Sequence, residues 1–230
     1  MPYWHTFFHQ FDWKALLDLV SQVFAALLCI IIHECAHGWA ADRLGDHTAR
    51  ECGRLSWNPL RHIDPFGLLV MLTAGVGWAK PVPVDARNFR NPRKGMAITA
   101  LAGPLANFLL AFFMMMIARV MYLHPMVQTT LIWHIFLYLL NLVLHIAVLS
   151  LGLGIFNLIP IPPLDGSKVL FSFLPDKAYF TILRYERYIM LGLFALVFFG
   201  FLDAPLDFCI SHAVRFLCAI TGFPAEIIGF

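Results

Sequence analysis

The chain has 230 residues, of which 60% are apolar and 13% charged, and its formal net charge is +2. Soluble domains carry about 45–50% apolar and about 25% charged residues, and a fold of this size has too little interior for the surplus. That balance disfavours a soluble enzyme, a disordered chain and a nucleic-acid binder, and it leaves a multispanning membrane protein.

Met1–Gln10 is polar and aromatic with no basic stretch, so no cleavable signal peptide is expected. A helical span takes about 20 apolar residues. The first candidate runs from Ala15 to Ile32, with Asp18 near its start, and should continue as helix through His33–Ala41. Pro65–Ala79 is uncharged but short and carries Gly67, Gly75 and Gly77, which suits a re-entrant segment. Lys80-Pro-Val-Pro-Val-Asp follows, and alternating Pro and Val forbids helix and suits an extended edge. With Gly53–Leu55 it predicts a small cytoplasmic β element. Met96–Ala118 and Leu131–Leu153 read as full spans, and Tyr188–Leu202 as the last clear one. Pro205–Phe223 is interrupted by Asp207 and Arg215 and could be a short span or an interfacial helix, the second being the preferred reading.

The expected fold class is therefore an all-α multispanning helical bundle with that β element and re-entrant or irregular segments. No repeat, linker or low-complexity tract divides it, so residues 1–230 read as a single membrane-embedded domain. Cys29, Cys35, Cys52, Cys209 and Cys218 form no CxxC pair and read as unpaired thiols. Nine of the sixteen Lys/Arg lie between Arg43 and Lys94. Positive residues favour the cytoplasm, which places that stretch inside and the N-terminus outside.

His33-Glu34-Cys35-Ala36-His37 ends the first apolar run. On a helix His33 and His37 stand one turn apart on one face and can converge on one Zn²⁺. Glu34 lies about 100° round the helix, poorly placed as a third ligand on that face and suited to act as a base. Ionisable groups flush against an apolar run are costly unless they work. A catalytic zinc needs a third protein ligand. The best candidate is Asp165, in Asn157-Leu-Ile-Pro-Ile-Pro-Pro-Leu-Asp165-Gly166, the only carboxylate between Asp85 and Asp176. Three prolines there prevent regular helix, and such backbone is tolerated at membrane depth only inside protein or beside a wet cavity. An ordinary cytoplasmic turn is the competing reading of this segment. His134, Asn141 and His145 share a helical face, more simply turned to the protein interior than used as ligands.

HExxH on a membrane helix together with NxxPxPPLDG resembles the site-2 protease family of intramembrane zinc metalloproteases. The likeness extends to Gly53–Gly67, Pro81–Arg93 and Ala102-Gly103-Pro104-Leu-Ala-Asn107, in a minimal form without PDZ or CBS domain. The resemblance implies that His33, His37 and Asp165 hold a zinc ion, that Glu34 is the catalytic base and that Asn157 steadies the oxyanion. Asn107 is a weaker carry-over as a substrate-binding residue, and an interhelical hydrogen bond is at least as simple a role for it. The implied activity is hydrolysis of peptide bonds within or near transmembrane segments. The partners would be a single-span membrane-protein substrate and the lipid bilayer, with no nucleic acid. The implied location is a prokaryotic plasma membrane, with the site toward the cytoplasm. A substrate unwound for cleavage needs new backbone partners, which Pro81–Asp85 could offer by strand addition. The alternatives are a membrane zinc transporter or metal sensor using the same three ligands, and a haem protein using His134 and His145.

Overall fold

The computed structural model describes residues 12–67, 80–124 and 130–229. Met1–Gln10 and most of Pro65–Ala79 lie outside the described residues, and so do the readings made on them.

The described chain is dominated by helices. α1 (Trp13–Arg43) is capped by Asp12, whose side chain accepts the Ala15 N–H at 3.0 Å, and it ends at Leu44 before Gly45 at φ 103°. α2 (Thr48–Glu51) is a single turn. α3 (Pro92–Leu123) opens with Pro at its first position and Asn91 as its cap, bonded to the Lys94 N–H at 3.2 Å. α4 (Thr130–Asn157) is followed by an irregular proline segment and by α5 (Asp165–Phe171). α6 (Asp176–Phe198) and α7 (Asp203–Thr221) complete the order, and α7 stops at Gly222 in the left-handed region, φ 72°.

Among the described residues, α1, α3, α4 and α7 are long and apolar enough to cross a membrane. α3 lies at the centre, packed on α1, α4, α5 and α7. One core cluster joins Ala111, Met115 and Ala118 of α3 to Leu140, Leu144, Ala147 and Leu151 of α4 and to Val214 and Cys218 of α7. A second joins Ala25 and Cys29 of α1 to Leu110 and Ile146. Large side chains such as Phe24, Leu109, Phe113 and Ile135 are exposed, as lipid-facing surface requires. All five cysteines are free.

Three expectations are corrected. The β element is not formed: no sheet joins Gly53–Leu55 to Pro81–Asp85. The extended segment instead has its backbone satisfied by side chains. Arg54 donates to the Lys80 carbonyl at 2.6 Å and the Pro81 carbonyl at 3.2 Å, and Asp46 accepts the Asp85 N–H at 2.8 Å. Pro81 and Pro83 have no N–H to offer a ladder. Asp46 is fully buried, and although burial raises its carboxyl, the bonds from Thr48, Asn88 and Asp85 hold it below the usual carboxylate range. The second correction concerns Pro205–Phe223, which forms a bundle helix rather than an interfacial one. Val214, Cys218 and Phe223 sit in the core, and the charged residues Asp207 and Arg215 stay on its exposed side. Conversely α6, which holds most of Tyr188–Leu202, is not among the four candidate spans, because Arg184, Glu186 and Arg187 lie within it. The third concerns α4. Its ridge Leu140, Leu144, Ala147 and Leu151 takes the interior at steps of four and three, which leaves His134, Asn141 and His145 exposed. The interior-facing stripe is therefore not formed.

Candidate active site

α1 carries His33 about 30 Å along its axis from the first residue, at about 1.5 Å per residue. His33 and His37 stand on one face with ring centroids 4.6 Å apart, and both are buried. α3 runs antiparallel against this face, and its residues at steps of four match the two histidines in reverse order. The Thr99 carbonyl meets His37 Nδ1 at 2.7 Å, Gly103 lies against both rings, and Asn107 Nδ2 is 3.3 Å from His33 Nδ1. Glycine is required at 103, because a Cβ there would come within 2.5 Å of His37 Cε1 and 2.7 Å of His33 Cε1. The neighbouring Pro104 withdraws a helix N–H in the same stretch.

The third side chain arrives from a distant part of the chain. α4 ends at Asn157, and Pro160, Pro162 and Pro163 prevent its continuation until α5 starts at Asp165. The segment folds back tightly on itself. A Cβ on Gly166 would sit 2.8 Å from the Ile159 carbonyl oxygen and closer still to that of Leu158, so only glycine fits. Asp165 is thereby buried with Oδ2 at 3.1 Å from His33 Nε2 and 3.0 Å from His37 Nε2. Its other oxygen takes a bond from Lys168 Nζ at 3.0 Å, one turn along α5.

His33, His37 and Asp165 each offer one ligand atom, all within 4.8 Å of one another. The donor set itself fits a cation. A carbonyl can only accept, so His37 Nδ1 must carry the proton in its bond to Thr99. If neutral, His37 then turns its Nε2 lone pair onto the Asp165 carboxylate, and two acceptors 3.0 Å apart call for a cation between them, either a metal ion or a second ring proton. Two imidazole nitrogens and one carboxylate oxygen are also the ligand types of a catalytic zinc, which leaves a coordination position for substrate.

A cavity of about 300 Å³ opens on this cluster, lined by His33, Glu34, His37, Val82, Asn157 and Asp165 among others. Glu34 is half-buried, and its Oε2 accepts the Val82 N–H at 2.8 Å, so the extended segment holds this carboxylate at the cavity wall. Asn157 also lines the cavity. One of its amide hydrogens goes to the Leu153 carbonyl at 2.9 Å, and the other has no partner among the described residues. The structure thus brings together five of the six sequence candidates. Asn107 does not line the cavity: it is fully buried behind His33.

Sequence reasoning missed four contributors. Thr99 acts through a backbone carbonyl and leaves no side-chain signal. Val82 acts through its N–H. Gly103 was visible only as part of a small-residue motif. Lys168 had a signal, a cation three residues after Asp165 at the start of a helix.

A buried His/His/Asp cluster beside a glutamate, set in a bundle of apolar helices, defines a membrane-embedded metallopeptidase. The chain belongs to Peptidase family M50, the site-2 protease family, whose model it matches over residues 22–200. It is 36% identical over 167 residues to "Putative zinc metalloprotease YwhC" of Bacillus subtilis, covering 72% of this chain and 74% of that protein. It is 31% identical to "Putative zinc metalloprotease Rip2" of Mycolicibacterium smegmatis and 29% identical to the Rip2 of Mycobacterium tuberculosis H37Rv, in each case over 63% of this chain and 53% of the relative. The chain thus spans about half the length of the Rip2 proteins. No solved structure matches it significantly. The family uses zinc. With its four apolar helices, the chain is a multi-pass membrane protein of the metallopeptidase class.

Proposed function

We propose that this protein is an intramembrane zinc metalloprotease that hydrolyses peptide bonds within or near the transmembrane segment of single-span substrates, as in regulated intramembrane proteolysis. Residues 1–230 act as one membrane-embedded catalytic domain. It sits in a prokaryotic plasma membrane with the site toward the cytoplasm, on the side where the Arg43–Lys94 cations gather. The observation that carries the reading is the meeting of Asp165 with His33 and His37 beside Glu34 in one cavity.

His33, His37 and Asp165 would hold the zinc. When bound, zinc supplies Lewis-acid chemistry, polarising a carbonyl and making water acidic enough to ionise near neutral pH. Glu34, fixed by the Val82 N–H, takes the proton from the attacking water and passes it to the leaving amine nitrogen. The second Asn157 amide hydrogen meets the carbonyl oxygen as negative charge grows on it. Lys168 keeps Asp165 oriented by its bond to Oδ1.

The Pro81–Asp85 segment is the reading's substrate edge. The Pro81 carbonyl is taken by Arg54, the Asp85 N–H by Asp46 and the Val82 N–H by Glu34. Among the described residues the Val82 carbonyl and the Val84 N–H and carbonyl have no partner, and in this reading they pair with an unwound peptide, as in strand addition. Val84→Pro removes that N–H without taking a bond from the free protein. Cleavage should fall about tenfold, the worth of about one hydrogen bond, with zinc content unchanged. Unaltered cleavage in a reconstituted assay would remove the segment from substrate binding.

The function is tested by reconstituting purified protein with a panel of single-span substrates in vesicles. Products cut within the spanning segment support the protease. Zinc flux across the vesicle wall without cleavage would support a transporter using the same three ligands and overturn the proposal.

A further inference from the structure

We infer that Asn107 is not a substrate-binding residue but the positioning residue of His33, its side-chain oxygen accepting the Nδ1 proton so that the Nε2 lone pair faces the metal position. The inference rests on the reading of His33 as a zinc ligand. His37 has its tautomer set by the Thr99 carbonyl, which can only accept. Among the described residues no carbonyl is bonded to the His33 ring. The polar side chain bonded to its Nδ1 is Asn107, one helical turn beyond Gly103 on the same face of α3.

Asn107 is fully buried, and its Oδ1 has no hydrogen-bond partner while its Nδ2 lies 3.3 Å from His33 Nδ1. A buried carbonyl oxygen without a donor is costly, about 1–3 kcal/mol. The two ends of a carboxamide have nearly the same shape, and turning the group over exchanges oxygen for nitrogen. With Nδ2 toward the ring, His33 must accept at Nδ1 and carry its proton on Nε2, where it points at Asp165 Oδ2, 3.1 Å away. With Oδ1 toward the ring, the oxygen gains a donor, the amide nitrogen takes the unpartnered place in its stead, and Nε2 presents a lone pair beside that of His37. Only the second arrangement gives two imidazole donors converging on one cation. An amide is suited to this position because it can serve either tautomer and adds no charge to a buried site. Ser150 holds the same turn of α3 by donating to the Asn107 backbone carbonyl at 2.9 Å.

The test is the zinc dissociation constant, measured by chelator competition in detergent, with melting temperature recorded in parallel. Asn107→Leu, similar in volume and without an acceptor, should weaken zinc about 10- to 100-fold, the range for loss of a partner that supports a ligand. Asn107→Asp keeps an acceptor oxygen and should bind zinc within a few-fold of wild type or more tightly. If Asn107 only packs the helices, the order reverses, because a buried carboxylate is then unpaired and leucine is tolerated; that order overturns the inference. Should the leucine variant fail to fold, Asn107→Ala takes its place in the same comparison. His33→Ala separates the two levels. If it leaves zinc affinity unchanged, the ligand reading itself fails; if it abolishes binding while the aspartate and leucine variants are equal, the positioning role alone fails.

Discussion

Glu34→Gln should bind zinc at wild-type stoichiometry and cleave a membrane-spanning substrate about 10²- to 10⁴-fold more slowly, the usual worth of a positioned general base. The substitution is close to isosteric. Glutamine can still accept the Val82 N–H through its side-chain oxygen, so the extended segment keeps its place at the cavity wall. His33, His37 and Asp165 keep their arrangement, since none of their bonds involves Glu34. What is lost is the ability to take a proton from water and return it to the amine. The checking measurement is zinc content by mass spectrometry beside single-turnover cleavage in vesicles. Wild-type cleavage by the glutamine variant would remove Glu34 from the chemistry.

Asp165→Ala should lose both zinc and activity. The carboxylate is the only anionic member of the cluster, and it stands within 3.1 Å of each imidazole Nε2. Without it two neutral rings are left, and the Lys168 ammonium, formerly bound to Oδ1, is free to push a cation away. The fall in zinc affinity should therefore exceed the about 10- to 100-fold that follows removal of a supporting partner. Circular dichroism should show the helices intact, because the contacts among α1, α3, α4 and α7 do not depend on this side chain. Retention of zinc by the alanine variant would mean that the third ligand lies elsewhere.

The site was more legible in the sequence than the fold around it. A His pair one turn apart needs only helix geometry, whereas Asp165 reads equally as part of an ordinary cytoplasmic turn until it is set beside that pair. The roles that escaped are those played by backbone: the Thr99 carbonyl and the Val82 N–H have no residue signature. Asn107 was visible as a polar residue in a small-residue helix, but whether it faced the cavity or the back of a ring depended on the packing of α3 on α1. The β element failed because alternating Pro and Val specifies an extended chain without saying what satisfies its backbone, and here Arg54, Asp46 and Glu34 do so. On α4 two faces competed for the interior, and the apolar ridge at Leu140–Leu151 won over the His134–His145 stripe. α7 joined the core because Val214 and Cys218 lie on one face, a pattern that Asp207 and Arg215 obscured when the run was judged by charge alone.

The central claim is that residues from two distant stretches of chain grip one ion. Zinc-edge X-ray absorption on the purified protein tests it most directly. The account predicts two imidazole nitrogens at about 2.0–2.1 Å with oxygen completing the shell, and the loss of one imidazole in His37→Ala. A sulfur shell at about 2.3 Å, drawn from Cys29 or Cys35, or a spectrum unchanged by that substitution, would contradict it.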